Sequence, residues 1–250
     1  MSSLVGKKAF CHLPNIPQRS EPKESSEMVN QLIFGECYEI LEELNNWIKI
    51  KVLNYNYEGW IDKKLQYKIS DENCLEWQEA PKIILKDQCL VTVNGYQFML
   101  NAGSILPTVA LSFVSLEYTL GEPQSIDLRD VYKPWLGTPY LWGGKNMMGV
   151  DCSGFSQLIY RTWGIDIERD ASKQALQGEK VNEAQFGDLA FFENEKKKIT
   201  HVGICLSSKE IVHASCIVRI DYLTPEGIKH LENKNITHKL SHITRFTLPF

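Results

Sequence analysis

The sequence lacks the marks of several protein classes. Its seven cysteines are Cys11, Cys37, Cys74, Cys89, Cys152, Cys205 and Cys216; the number is odd and no two stand in Cys-x-x-Cys spacing. That speaks against a disulfide framework and against a zinc site, so no metal and no cofactor are expected. Reduced thiols suit the cytoplasm. No apolar run approaches the length of a membrane span. Residues 1–8 show no basic region followed by an apolar core, so no signal peptide is visible. The expected location is cytoplasmic, or exported if a signal peptide has been removed. Positive charge is not in excess: 27 Lys and Arg stand against 31 Asp and Glu, a net charge of −4. This argues against nucleic-acid and anionic-membrane partners, which select basic surfaces. There is no low-complexity segment and no close internal repeat. What remains is an ordinary globular composition, 43% hydrophobic and 23% charged. Its 250 residues leave room for one large domain or two to three small ones.

Residues 1–70 read as short strands. Residues 29–34 are apolar-rich and lead to Gly35. Residues 37–41 carry Tyr38, Ile40 and Leu41. Trp47-Ile48-Lys49-Ile50-Lys51-Val52 alternates as a half-buried strand does, and Tyr57-Glu58-Gly59-Trp60-Ile61 follows a polar turn. Short strands joined by turns suggest a small barrel. This order, ending on Gly59-Trp60-Ile61, resembles a bacterial SH3-like domain. Residues 71–124 offer strands at 82–85, 89–93, 97–100 and 109–116, separated by Asn94-Gly95, a hairpin signal, and by turns at 101–103 and Pro107. A second, divergent small barrel is expected there, although the spacing also allows one larger sheet. Gly121-Glu122-Pro123-Gln124-Ser125 reads as a linker.

From Ile126 the pattern changes. Residues 126–136 read as a helix, with Pro134 as a break or kink near its end. The stretch Pro139-Tyr140-Leu141-Trp142-Gly143-Gly144-Lys145 is aromatic and glycine-rich, as a loop is where backbone approaches a ligand closely. Phe155, Leu158, Ile159 and Trp163 then recur at the spacing of a buried helix face. Asp151 is placed as the N-cap and Cys152 in the first turn, where the helix dipole lowers a thiol pKa. A short helix within 166–174 and strands at 189–192, 201–206, 211–215 and 219–223 complete the domain. A helix followed by antiparallel strands is an α+β arrangement.

A cysteine at a helix start with histidines on later strands is a common way to assemble a Cys-His nucleophile. Cys152 is the candidate nucleophile. His201 is the candidate partner, holding the thiolate as an ion pair and later protonating the leaving amine. His213, on the next strand, is the candidate orienting residue. His12 belongs to the first small domain. His230, His238 and His242 fall in a polar C-terminal tail and read as surface residues.

Residues 126–224 resemble the NlpC-type cysteine peptidases, a papain-like family acting on bacterial cell-wall peptides. The resemblance is carried, in order, by Pro139-Tyr140-Leu141-Trp142-Gly143-Gly144, Asp151-Cys152-Ser153-Gly154-Phe155, Arg169-Asp170-Ala171-Ser172-Lys173-Gln174, Gly187-Asp188-Leu189-Ala190-Phe191-Phe192, His201-Val202-Gly203-Ile204 and Ile211-Val212-His213-Ala214. It implies catalytic Cys152, His201 and His213, with Tyr140 beside the nucleophile as a hydroxyl that assists binding or the oxyanion. With small barrels upstream, the layout resembles the branch of γ-D-glutamyl-L-diamino acid endopeptidases. That resemblance implies release of L-Ala-γ-D-Glu from free murein peptides with an unblocked N-terminus. It also implies an acid and a tyrosine of the first small domain at the substrate amine. Glu27 and Tyr57 are the candidates, with Glu21, Glu24 and Glu36 as rival acids. Asp151 and Ser153 could bind the dipeptide part. Ser172 is a further candidate, although some relatives have Ser at the position of Ala171.

The expected architecture is therefore α+β: a papain-like cysteine peptidase domain over 125–250, preceded by SH3-like β-barrels over 1–70 and 71–124. The expected partner is a murein peptide, and the expected state a monomer. The rival readings are a hydrolase of intact peptidoglycan, a wall-binding module and a thiol acyltransferase.

Overall fold

A computed structural model describes residues 3–119 and 126–249 of the chain. The linker read at 121–125 lies outside the described residues. Two compact units emerge: Met1–Asp127 with Gly143–Asn146, and Leu128–Trp142 with Met147–Phe250.

The first unit opens with six strands: β1 (Lys8–Phe10), β2 (Asn15–Arg19), β3 (Met28–Ile33), β4 (Cys37–Leu44), β5 (Trp47–Val52) and β6 (Tyr57–Asp62). They pair antiparallel in the order β1-β4-β5-β6-β2-β3. The alternation in β5 does what it predicts, sending Ile48, Ile50 and Val52 into a core with Leu32, Tyr38 and Ile40. Helix α1 (Asp71–Glu79) follows, capped by the Ser70 hydroxyl, which accepts from the Asn73 N–H at 3.1 Å. Next come β7 (Lys82–Ile84), β8 (Cys89–Val93), β9 (Tyr96–Leu100), β10 (Ile105–Pro107) and β11 (Leu116–Tyr118), paired as β10-β7 and β11-β8-β9. A strand over 109–116 does not form: β10 and β11 lie on either side of it, with Pro107 closing the first. The stretch before residue 71 and the stretch after it share one core. Phe10 stacks on Trp77 with ring centroids 3.8 Å apart, and Phe34 meets the same indole edge-on.

Strand β12 (Lys145–Asn146) also belongs to this unit. Its lysine is fully buried: Nζ donates to Glu36 Oε1 and to the Tyr55 hydroxyl, each at 2.8 Å. Gln31 Oε1 accepts from the Lys145 N–H at 2.8 Å and from Asn146 Nδ2 at 2.9 Å. Just before it, Gly143 adopts φ 75°, and a Cβ there would lie 2.3 Å from the Met28 carbonyl oxygen. The close backbone approach that these glycines predict is thus made at Gly143 to the protein's own β3 edge.

The second unit begins with turns rather than the helix expected at 126–136. Only Lys133–Trp135 forms a helical turn, of the 3-10 type. Pro134 explains the difference, since within an α-helix its ring would clash with the carbonyl of residue 130 and its missing N–H would break the ladder. Strand β13 (Gly149–Val150) precedes α2 (Cys152–Thr162) and α3 (Ala171–Gln174). The sheet consists of β14 (Glu179–Val181), β15 (Leu189–Glu193), β16 (Ile199–Cys205), β17 (Glu210–Ser215), β18 (Ile217–Thr224), β19 (Gly227–Lys229) and β20 (Ile236–Arg245). All neighbours are antiparallel in the order β14-β20-β15-β16-β17-β18-β19, and β19 pairs again with β20, closing six strands on themselves. Helix α2 packs against β16 and β17. Its Phe155, Leu158 and Ile159 are buried, each contributing about 1.5–3 kcal/mol by leaving water.

The polar tail expected after residue 224 is instead two strands. β20 is hydrogen-bonded on both sides, to β14 and to β15, while only Ile243 and Thr244 of its side chains are buried. A strand whose side chains face water reads as polar, however central its backbone is.

Candidate active site

The beginning of α2 is built as the sequence predicts. Asp151 is extended (φ −90°, ψ 172°), and its Oδ1 accepts from the Gly154 N–H at 2.7 Å, so Cys152 is the first helical residue. A buried arginine completes the cap. Arg169 Nη2 donates to Asp151 Oδ2 at 2.6 Å, and Nη1 donates to Asp151 Oδ1 at 3.0 Å and to Ser153 Oγ at 2.9 Å. The Ser153 hydroxyl in turn donates to Asp151 Oδ1 at 3.2 Å. Asp151 and Ser153 thus fix the end of α2 from which the thiol projects.

The Cys152 thiol is buried. The Val202 N–H, one residue past His201, and the Ser153 N–H both hydrogen-bond the sulfur. Burial, then the Asp151 charge, push the thiol up to about 12 against those donors and Arg169. Tyr140 lies alongside, held by its N–H to the Cys216 carbonyl at 2.8 Å and bridged to Val150. Burial, then the neighbouring Cys152, raise its phenol above the ordinary range, so it keeps its proton and can donate.

His201 and His213 come together as the strand order requires. The register Ile204↔Val212 sets His213 beside Gly203 and puts both imidazoles on one face. His201 Nε2 and His213 Nδ1 are 2.8 Å apart, with the rings edge to face at 83°. Gly203 makes room: a Cβ there would lie 2.9 Å from His213 Cβ and 2.7 Å from Ile211 Cδ1. Burial, then His213, His238 and Arg219, hold His201 well below its ordinary range. Burial thus disfavours the charged form of both the thiol and the imidazole, while the Val202 and Ser153 N–H groups and Arg169 favour the thiolate.

Further residues complete the site. His213 Nε2 lies 3.0 Å from Asp221 Oδ2, and this carboxylate also accepts from Arg219 Nε at 2.9 Å and from the Leu231 N–H at 2.7 Å. His238, read as a surface residue, stacks on His201 with centroids 4.1 Å apart and planes at 24°. Burial, then His213 and Arg219, push it down to about 4, so it stacks as a neutral ring. The signal for Asp221 was present: a hairpin centred on Cys216 pairs His213 with Arg219 and puts Asp221 on the same face. His238 carried no comparable signal, because its position depends on β20 joining the sheet. His242 is likewise part of β20, stacked on Phe191.

Ser172 is exposed on α3. Glu27 is exposed just before β3, and Tyr57 opens β6, both in the first unit. Of the rival acids, Glu36 is bound to Lys145 in the core, Glu21 pairs with Lys23, and Glu24 pairs with Arg19.

Comparison with known proteins places these features in context. Residues 137–245 match the NlpC/P60 family, and residues 19–64 match the bacterial dipeptidyl-peptidase SH3 domain. The chain is 29% identical over 213 residues to the γ-D-glutamyl-L-lysine dipeptidyl-peptidase of Bacillus subtilis, covering 74% of this chain and 71% of that protein. It is 32% identical over 130 residues to a Haemophilus influenzae protein named "Probable endopeptidase", covering 47% of this chain and 81% of that one. It also resembles the crystal structure of an NlpC/P60 family protein from Bacillus cereus, with a TM-score of 0.79 over 97% of this chain and 100% of that one. At 19% identity, that likeness speaks to the fold alone.

Proposed function

The chain belongs to the NlpC/P60 family and carries a bacterial dipeptidyl-peptidase SH3 domain ahead of its NlpC/P60 region, and from that premise we propose that it is a cysteine peptidase of free murein peptides. It cleaves the bond between γ-D-Glu and the diamino acid, leaving L-Ala-γ-D-Glu. The observation that carries the reading is the buried His201–His213 pair, 2.8 Å between ring nitrogens, next to a thiol at the start of α2. The name of the Bacillus subtilis relative supports the substrate class.

Cys152 Sγ attacks the γ-carbonyl carbon of D-Glu while His201 Nδ1 takes the thiol proton. The oxyanion that forms receives the Tyr140 hydroxyl and backbone N–H groups near Cys152. Collapse breaks the C–N bond, and His201 returns the proton to the leaving amine of the diamino acid. Water, deprotonated by His201, then attacks the thioester, and Cys152 leaves with the proton. His213 orients His201 throughout. Asp151 and Ser153 hold the nucleophile's helix end, and Ser172 is a contact to the dipeptide.

The substrate's α-amine is cationic near neutral pH and needs an acidic partner when it leaves water. Glu27, with Tyr57, is the proposed partner, a monomer the proposed state, and the cytoplasm the proposed location. The test compares kcat/KM for L-Ala-γ-D-Glu-L-Lys, its diaminopimelate counterpart, the N-acetyl form of each, and intact peptidoglycan. The free peptides should be preferred by at least ~100-fold, the worth of one buried charge-assisted contact of roughly 3 kcal/mol. Equal rates on free and N-acetyl peptides would turn the reading to a hydrolase of intact wall. A preference left unchanged in Glu27→Gln would move the amine to another acid.

A further inference from the structure

We propose that Asp221 is a positioning residue that fixes the tautomers of both histidines, and that through His213 it keeps the lone pair of His201 on Nδ1, toward the thiol. The proposal rests on the catalytic roles given above to Cys152 and His201.

Donors and acceptors run in a chain from Asp221 through His213 to His201. Asp221 is buried on β18, and both of its oxygens are engaged. Oδ1 accepts from the Leu231 N–H at 2.7 Å, while Oδ2 accepts from Arg219 Nε at 2.9 Å and faces His213 Nε2 at 3.0 Å. With the Leu231 N–H and the Arg219 guanidinium against it, this carboxyl is ionised and can only accept. Burial alone would raise it, but hydrogen bonds from His213, Leu231 and Arg219 outweigh burial and hold it below the carboxylate range. His213 must therefore carry its proton on Nε2. In a neutral ring Nδ1 is then an acceptor, and it lies 2.8 Å from His201 Nε2. His201 must in turn carry its proton on Nε2, which leaves the lone pair on Nδ1. Any other assignment of neutral rings sets two N–H groups or two lone pairs against each other across 2.8 or 3.0 Å.

The chain also acts in the reaction. When His201 Nδ1 takes the proton from Cys152, the imidazolium donates more strongly to His213, whose far N–H is already on a carboxylate. The positive charge formed in the transition state is balanced across two rings without a second proton transfer. The other charged or titratable groups around this line are Arg219 on β18, His230 after β19 and His238 on β20, and all three work against a cation there. Asp221 is the anion that offsets them.

A purely structural role, tying Leu231 and Arg219 to β18, would leave the tautomers to chance. The test reads them directly. Two-bond proton–nitrogen NMR on 15N-histidine-labelled protein at neutral pH should show His201 and His213 both protonated on Nε2. This needs no substrate and no variant, so it is separable from the choice of peptide. In Asp221→Asn and Asp221→Ala, His213 should lose its single tautomer. kcat should fall by about 100-fold or more with KM nearly unchanged, as for an interaction made only in the transition state. Asp221→Glu, which restores an anion, should recover more activity than Asp221→Asn does. Finding Nδ1–H on either ring of the wild type would overturn the proposal. So would a folded Asp221→Ala whose tautomers and kcat match the wild type while Cys152→Ala is dead.

Discussion

Gly203→Ala should disable the site without touching a catalytic atom. The added methyl would lie 2.9 Å from His213 Cβ and 2.7 and 2.9 Å from Ile211 Cδ1 and Cγ1. Ordinary carbon contacts begin near 3.5 Å, so His213 and Ile211 must together retreat by roughly half an ångström to an ångström. Ile211 and His213 are both fully buried, but Ile211 is met at its outer carbons, which can rotate away, whereas His213 is met at Cβ, so relief there moves the whole ring. Its 2.8 Å contact to His201 would stretch toward the limit of a hydrogen bond. A misplacement of about 1 Å costs on the order of 100-fold in rate, whereas overpacking costs about 1–3 kcal/mol of stability. The assay is kcat and KM on L-Ala-γ-D-Glu-L-Lys beside thermal unfolding of the same preparation. The expected result is kcat down about 100-fold, KM little changed and the protein still folded at assay temperature. A Gly203→Ala enzyme with wild-type kcat would refute the claim that His213 must sit where the glycine lets it.

Two other perturbations test separate parts of the structure. Lys145→Met leaves Glu36 as a buried, uncompensated carboxylate, which should cost about 3–5 kcal/mol and lower Tm by roughly 10 °C or more; the double change with Glu36→Gln should recover most of it, and equal Tm values for the single and double variants would contradict the pairing. Because the Cys152 thiol is pushed up to about 12, its reactive thiolate should grow about tenfold per pH unit from pH 6 to 9. Iodoacetamide alkylation, read at the Cys152 peptide by mass spectrometry, should rise without a plateau; a plateau entered below pH 7 would show a thiolate–imidazolium pair at rest.

The parts of the site legible in the sequence were those set by local periodicity. The spacing of Phe155, Leu158 and Ile159, with Asp151 before them, was enough to put Cys152 at a helix start. The strands carrying His201 and His213 were legible too, and their adjacency is a matter of register. What the sequence hid depends on distant partners. Glu36 reads as one exposed acid among several until Lys145, far along the chain, is seen to bury it. His238 reads as a tail residue because its neighbours Thr237, Lys239 and Ser241 are polar and exposed, while the backbone of β20 joins the sheet. Asp221 was signalled only by the alternation of the strands on either side of Cys216, whose φ of 66° makes the turn without a glycine. Helix α1 escaped because only Cys74 and Trp77 of its nine residues are buried, too few to show a period.

The central claim is that Cys152, with His201 as its base, cleaves the γ-D-Glu–diamino acid bond. The most direct test is mass-spectrometric analysis of products and of acid-quenched protein during incubation with L-Ala-γ-D-Glu-L-Lys, in wild type, Cys152→Ala and His201→Ala. The expected result is L-Ala-γ-D-Glu and free lysine from the wild type, any trapped acyl group on Cys152, and no turnover in Cys152→Ala. Release of the dipeptide by folded Cys152→Ala at the wild-type rate would contradict it.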